Sequence, residues 1–181
     1  MSKSESKQPP AGFSVVVMGV SGSGKTTVAE MLAADMQATF IDGDDLHPRA
    51  NVKKMGEGSP LNDEDRAPWL ERINDAVYNL EQRSRRGVIV CSALKKRYRD
   101  AIRKDNKHLV FVFLDGPKHV ILERMAARKG HFMKPDMLDS QFDALERPDI
   151  SEQDVLTVTI DSTPQEIVSR VTERLKARNC I

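Results

Sequence analysis

Short apolar runs alternate with longer stretches of helical period along most of this chain. Phe13 to Met18 is apolar except at Ser14 and ends in a glycine-rich turn. Thr39 to Ile41, Val88 to Cys91, Leu109 to Leu114 and Val155 to Ile160 repeat the pattern and predict four more strands, three of them rich in β-branched residues. Between them apolar positions recur every three or four residues. Val28, Leu32 and Met36 mark one helical stripe, Trp69, Ile73, Val77 and Leu80 a second, and Ile167, Val171 and Leu175 a third. A strand that is apolar at successive positions must be covered on both faces. The alternation with helices therefore predicts a parallel sheet between helical layers, an α/β fold. Residues 13–181 carry no repeat and no second compositional regime, and read as one domain. The polar tail at residues 1–12 has little to bury and is expected to be disordered.

Two segments do not fit as plain crossovers. Asp42 to Arg66 is long, polar and punctuated by Gly43, Pro48, Gly56, Gly58 and Pro60, while Arg128 to Pro135 is basic and contains Gly130-His131. Long irregular segments inside a compact domain tend to be functional. Both are expected near the carboxyl ends of strands, where open α/β sheets bind ligands.

Composition narrows the class. Of 181 residues, 28 are Lys or Arg and 27 Asp or Glu, a formal charge of +1, and only 5% are aromatic. That near-balance argues against a nucleic-acid binder, which needs a basic surface. No apolar run reaches the roughly 20 residues that span a bilayer, and the N-terminus lacks an apolar signal core. A cytoplasmic protein is expected, without membrane or nucleic-acid partners. Cys91 and Cys180 form no disulfide or zinc pattern, and Cys91 reads as a small buried hydrophobe.

Gly19-Val20-Ser21-Gly22-Ser23-Gly24-Lys25-Thr26 matches G-x-x-x-x-G-K-[ST] in full, after a buried strand and before an amphipathic helix. Glycines let the backbone curl so that successive N–H groups converge on phosphate oxygens, and the helix start adds its unsatisfied donors. The loop predicts a nucleotide site over Gly19, Ser21 to Thr26 and Thr27. Lys25 is assigned to the β- and γ-phosphates and the Thr26 hydroxyl to Mg2+. The second strand then ends in Asp42-Gly43-Asp44. Carboxylates at alternate positions leaving a strand can face one way. Asp42 is assigned to the metal and Asp44 to the proton of an attacking hydroxyl. The competing reading is an Asp-Gly turn with a solvated neighbour.

Basic residues cluster in three places. His47, Arg49, Lys53 and Arg66 follow the carboxylates and offer cations and donors to an acidic, hydroxylated substrate. The same stretch also reads as a capped helix, with Asn62 or Asp63 as N-cap and Trp69 in the core. Lys95 and Arg99, four apart after the third strand, fit either substrate binding or a solvated helical face. Arg124, Arg128, Lys129 and His131 form the third group, at about residues 124–140, where a mobile lid is expected. Arg128 is assigned to the transferring phosphoryl group and Arg124 to the adenine face. Exposed arginines at a helix end are the alternative.

Several blocks together resemble the gluconokinases. These are Met18 to Thr26, Asp42 to Pro48, Pro60 to Asp63 with Trp69, Cys91 to Lys96 with Tyr98-Arg99-Asp100, Gly130 to Met133, and Ser140-Gln141-Phe142 with Leu145-Glu146. Their order runs from about residue 13 to residue 175. The resemblance implies a P-loop NTPase fold like that of the nucleoside monophosphate kinases, three-layer α/β/α with a five-stranded parallel sheet and a mobile lid. It implies phosphorylation of D-gluconate by ATP with Mg2+, a homodimer, and a product that enters the pentose phosphate or Entner–Doudoroff route. It also implies substrate contacts at Asp44, His47, Arg49 and Arg99 and a phosphate clamp at Arg128. Thr26 stands where many members carry Ser, and either hydroxyl can bind Mg2+. The similar shikimate kinases are the nearest rival; Ser92-Ala93-Leu94-Lys95 replaces the glycine-rich third-strand end associated with them.

Overall fold

The computed structural model describes residues 7–127 and 135–181. Five strands form one parallel sheet: β1 (Phe13–Met18), β2 (Thr39–Asp42), β3 (Arg86–Val90), β4 (Leu109–Asp115) and β5 (Val155–Thr159). Their order across the sheet is β2-β3-β1-β4-β5. Helices α1 (Lys25–Met36), α2 (Arg49–Gly56), α3 (Asp63–Gln82), α4 (Lys96–Arg103), α5 (Lys118–Ala127), α6 (Pro135–Ala144) and α7 (Pro164–Ala177) complete the described residues.

The two-sided burial read from the strands is what the sheet displays. Val15 and Val17 of β1, Val88 and Val90 of β3, and Val110, Val112 and Leu114 of β4 face one core, shared with α1 and α7. Their neighbours Val16, Met18, Ile89, Phe111 and Phe113 face a second core beneath α3 and α4. Successive side chains alternate between faces, so a continuous apolar run feeds both cores. The predicted stripes of α1, α3 and α7 are all buried. On β5 the alternation is weaker: Leu156 and Val158 are buried while Thr157 and Thr159 are exposed. As the last strand in the order, β5 has a neighbour on one side only.

Strand edges shift by a residue or two from expectation, β3 most. It begins at Arg86 and ends at Val90, leaving Cys91 as the first residue of the turn. The larger departure lies in Asp42 to Arg66, which is more regular than its polarity suggests. It holds a 3-10 turn at Gly43–Leu46, all of α2, and the start of α3. Among the described residues, no helix is long and apolar enough to cross a membrane.

Candidate functional site

The carboxyl ends of β1 and β2 meet the start of α1 at a cleft of about 270 Å3. Its floor is the loop after β1. Gly24 caps α1 in a left-handed conformation with φ 88°. Gly22 has φ 79°, and a side chain there would strike Met125 at 2.8 Å, so the loop is pressed against α5. The loop is also tied internally: Ser23 Oγ donates to the Val20 carbonyl (2.7 Å), and Lys25 Nζ donates to the carbonyls of Gly19 and Val20 (2.9 Å each). Ser21, Gly22, Gly24, Lys25, Thr26 and Thr27 line the cleft; Gly19 and Ser23 shape the loop from beneath.

Asp42 and Asp44 stand on the opposite wall. Asp42 ends β2 and accepts the Asp44 N–H at 3.0 Å, which caps the 3-10 turn. Gly43 between them lies against β3, where an added Cβ would sit 2.3 Å from the Val90 carbonyl. Only a glycine permits this approach, so the spacing of the two carboxylates is set by backbone packing. Burial, then the charge of Asp42, raises the Asp44 pKa, although part of the residue meets solvent. Burial lowers Lys25 to about 8, against the opposing charges of Asp44 and Asp42. Cys91 is pushed up to about 12 by burial and stays a thiol. A carboxyl whose pKa is raised and an ammonium whose pKa is lowered, lining one cleft, are marks of a reactive site.

The donors suit Mg2+. Among the described residues, no group of three His, Cys, Asp or Glu could hold a metal by itself. Mg2+ usually takes one or two protein oxygens and completes its shell with phosphates and water. The Thr26 hydroxyl and the Asp42 carboxylate, on facing walls of the cleft, provide such oxygens.

Behind the carboxylates, side chains from distant segments pack together. His47 stacks on Trp69, with ring centroids 4.2 Å apart and planes 14° from parallel. The Trp69 indole N–H also donates to the Gly43 carbonyl at 2.8 Å. Trp69 is core, as read, and in addition fixes both His47 and the peptide between the two aspartates. Buried Asn51 donates through Nδ2 to the Asp65 carbonyl and to His47 Nδ1 (2.9 and 3.2 Å). The carbonyl can only accept, which fixes the amide's orientation and leaves the neutral His47 ring its proton on Nε2. Burial, with Arg66 nearby, lowers the His47 pKa against the pull of Asp44. Asn62 is the N-cap of α3 and forms a capping box with Asp65.

Arg66 and Lys95 come together over the Tyr98 ring, at 5.5 and 5.7 Å from its centroid. The Tyr98 hydroxyl donates to Asp63 at 2.5 Å, and Arg66 also reaches that hydroxyl. Arg49 and Lys53 stand exposed on α2, four residues apart.

Arg99 goes elsewhere and corrects the expectation of a substrate contact. It is fully buried, and all five of its N–H donors are engaged, by both Glu152 oxygens and by the carbonyls of Ala93, Leu94 and Glu146. It braces the turn from β3 into α4, where Ala93 takes a left-handed φ of 45°. Nor do Lys95 and Arg99 share a face: Lys95 is the N-cap of α4 and lies over Tyr98. Arg124 lines the cleft beside Met125 and donates to the Ile160 carbonyl. Arg128, Lys129 and His131 lie outside the described residues.

Two partners were invisible in the sequence pattern. Glu152 pairs with Arg99 from 53 residues away, and Gln141 meets Ser21 across 120. No periodicity or spacing joins positions so far apart.

Comparison with known proteins agrees with this geometry. The family model for shikimate kinase matches residues 21–176. The thermosensitive gluconokinase of Escherichia coli K12 is 52% identical over 166 residues, spanning 92% of this chain and 87% of that protein. The thermoresistant gluconokinase of the same organism is 50% identical over 161 residues, 89% of this chain and 92% of its own. Among solved structures, a gluconokinase from Sinorhizobium meliloti 1021 superposes with a TM-score of 0.79 at 41% identity, covering 95% of this chain and 99% of that one.

Proposed function

Because the chain belongs to the gluconokinase family of P-loop kinases, we propose that it moves the terminal phosphoryl group of ATP onto the 6-hydroxyl of D-gluconate. The observation that carries this reading is the facing pair of walls: the loop with Lys25 and Thr26 on one side, Asp42 and Asp44 on the other.

In this reading the loop's N–H groups and Lys25 hold the β- and γ-phosphates. Thr26 and Asp42 would hold Mg2+, which would supply neutralisation of the phosphate charge. The acceptor oxygen forms a bond to the γ-phosphorus while the bridging bond to the β-phosphate breaks, and ADP leaves with that electron pair. Asp44 takes the hydroxyl proton, a task to which its raised pKa suits it. Arg66 and Lys95 are the cations best placed for the substrate carboxylate, since Tyr98 and Asp63 fix their positions. His47 offers its Nε2–H to a substrate hydroxyl. Arg124 borders the nucleotide side. A cytoplasmic homodimer supplying 6-phosphogluconate to sugar-acid catabolism belongs to the same proposal, and sedimentation velocity tests the dimer.

Coupled ADP release with Mg-ATP tests the reaction across gluconate, idonate, shikimate, glycerate and no acceptor. Turnover strongly dependent on gluconate is the expected result. Preference for another acid would keep the kinase and replace the acceptor. Slow hydrolysis indifferent to every acid would overturn the proposal.

A further inference from the structure

Helix α6 makes a contact with the phosphate-binding loop that the mechanism above does not use. Gln141 Oε1 accepts the Ser21 N–H at 2.6 Å, and Gln141 Nε2 donates to Ser21 Oγ at 2.9 Å. One carboxamide thus engages the backbone and the side chain of the loop's third residue. The helix that carries it is anchored independently. Leu138 is fully buried, and Phe142 and Leu145 pack against the core shared by α1 and α7. Just past the helix end, the Glu146 N–H donates to the Leu94 carbonyl (2.8 Å), and the Glu146 carboxylate accepts the Lys96 N–H (2.9 Å). The next loop residue, Gly22, is wedged against Met125. Ser21 is therefore held from above by α6 while Gly22 is backed by α5.

We propose that Gln141 is a positioning residue for phosphoryl transfer, fixing the Ser21 peptide so that the N–H groups after it stay aimed at the phosphates. This rests on reading the loop as the ATP site. Donors already aimed before the reaction need no reorganisation during it, and an outside brace matters most in a glycine-rich loop, whose backbone has the widest range of conformations. The amide suits the task in a second way. It bonds both Ser21 groups without bringing a charge beside the triphosphate. A glutamate could accept from the Ser21 N–H and O–H alike, and would keep the clasp while adding that charge.

The two substitutions separate hydrogen bonding from charge. Steady-state kinetics, Mg-ATP calorimetry and thermal melts are measured on the full chain carrying Gln141→Ala or Gln141→Glu. For Gln141→Ala, kcat is expected to fall by about 10- to 100-fold, the scale of a misplaced reacting group. For Gln141→Glu, part of that kcat returns, while KM for ATP rises above that of the alanine variant and relaxes toward it as salt is added. Unchanged kinetics in Gln141→Ala would overturn the assignment. So would a loss that follows the fall in Tm and disappears when assays run well below it. Failure of the unaltered protein to bind Mg-ATP would instead remove the ATP reading, and the positioning role with it.

Discussion

The two walls of the cleft are built on opposite plans. The phosphate wall is a single run from Gly19 to Thr27, shaped by its own glycines and by hydrogen bonds that span three to six residues, with one brace from Gln141 and one from Met125. The facing wall is Asp42 and Asp44, and behind it His47, Arg66, Trp69, Lys95 and Tyr98 are gathered from three segments, joined by contacts that span 26 to 35 residues. One wall is a local backbone conformation braced from outside at two points. The other exists only because α3 packs beside α4 and beneath the 3-10 turn. Damage to the first should act on nucleotide and chemistry, and damage to the second on the acceptor or on folding.

Asp44→Asn sharpens that division most, because Asp44 works where the walls meet. Turnover is expected to fall by about 10²- to 10⁴-fold with Mg-ATP affinity retained, as calorimetry beside kinetics will show. Near-normal turnover would remove Asp44 as the base. Arg99→Met comes next and acts on folding: removing one partner of a buried ion pair costs about 3–5 kcal/mol, read as a lower denaturation midpoint. Arg103 still reaches Glu152 at 2.9 Å, which favours the lower end. A rise in gluconate KM without loss of stability would restore Arg99 to the substrate site.

Arg66→Ala is expected to reverse that pattern. One lost charge-assisted hydrogen bond is worth about 1.5–3 kcal/mol, a rise of roughly 10- to 100-fold in KM for gluconate, with Tm little changed. An unaltered KM would leave Arg66 as a cover for Tyr98 only. The smallest effect is on pH. Lys25 titrates at about 8 in the free protein, and the bound phosphates favour its charged form. ATP affinity should hold below that pH and weaken as pH rises through it, by at most about tenfold per unit. A flat profile from pH 7 to 9.5 would contradict the depressed pKa.

What the sequence disclosed follows the same division. The P-loop and the three helical stripes were legible because each is a pattern within one short window. So was the cap at Asn62, one of two candidates named for that helix start. Arg99 and Arg66 were not separable from sequence: each is an arginine in a polar, helix-forming stretch with other cations in the same segment. Their fates differ because Glu152 and three carbonyls enclose one while the other lies open over Tyr98. The helical character of α2 was missed for a related reason. Only one of its residues, Asn51, is buried, so no apolar stripe marks it. It packs instead through Asn51, and Lys54 ties it to Asp65 at 2.6 Å.

The packing of Trp69 gives the protein an optical reporter of its own. It is the only tryptophan in the chain, so its emission arises from a single place, against His47 and the peptide between the two aspartates. Protonated imidazole quenches indole far more than the neutral ring does. The emission should therefore dim as His47 titrates in acid and change again when a sugar acid engages that wall, so that acceptor binding can be followed without a label and without turnover.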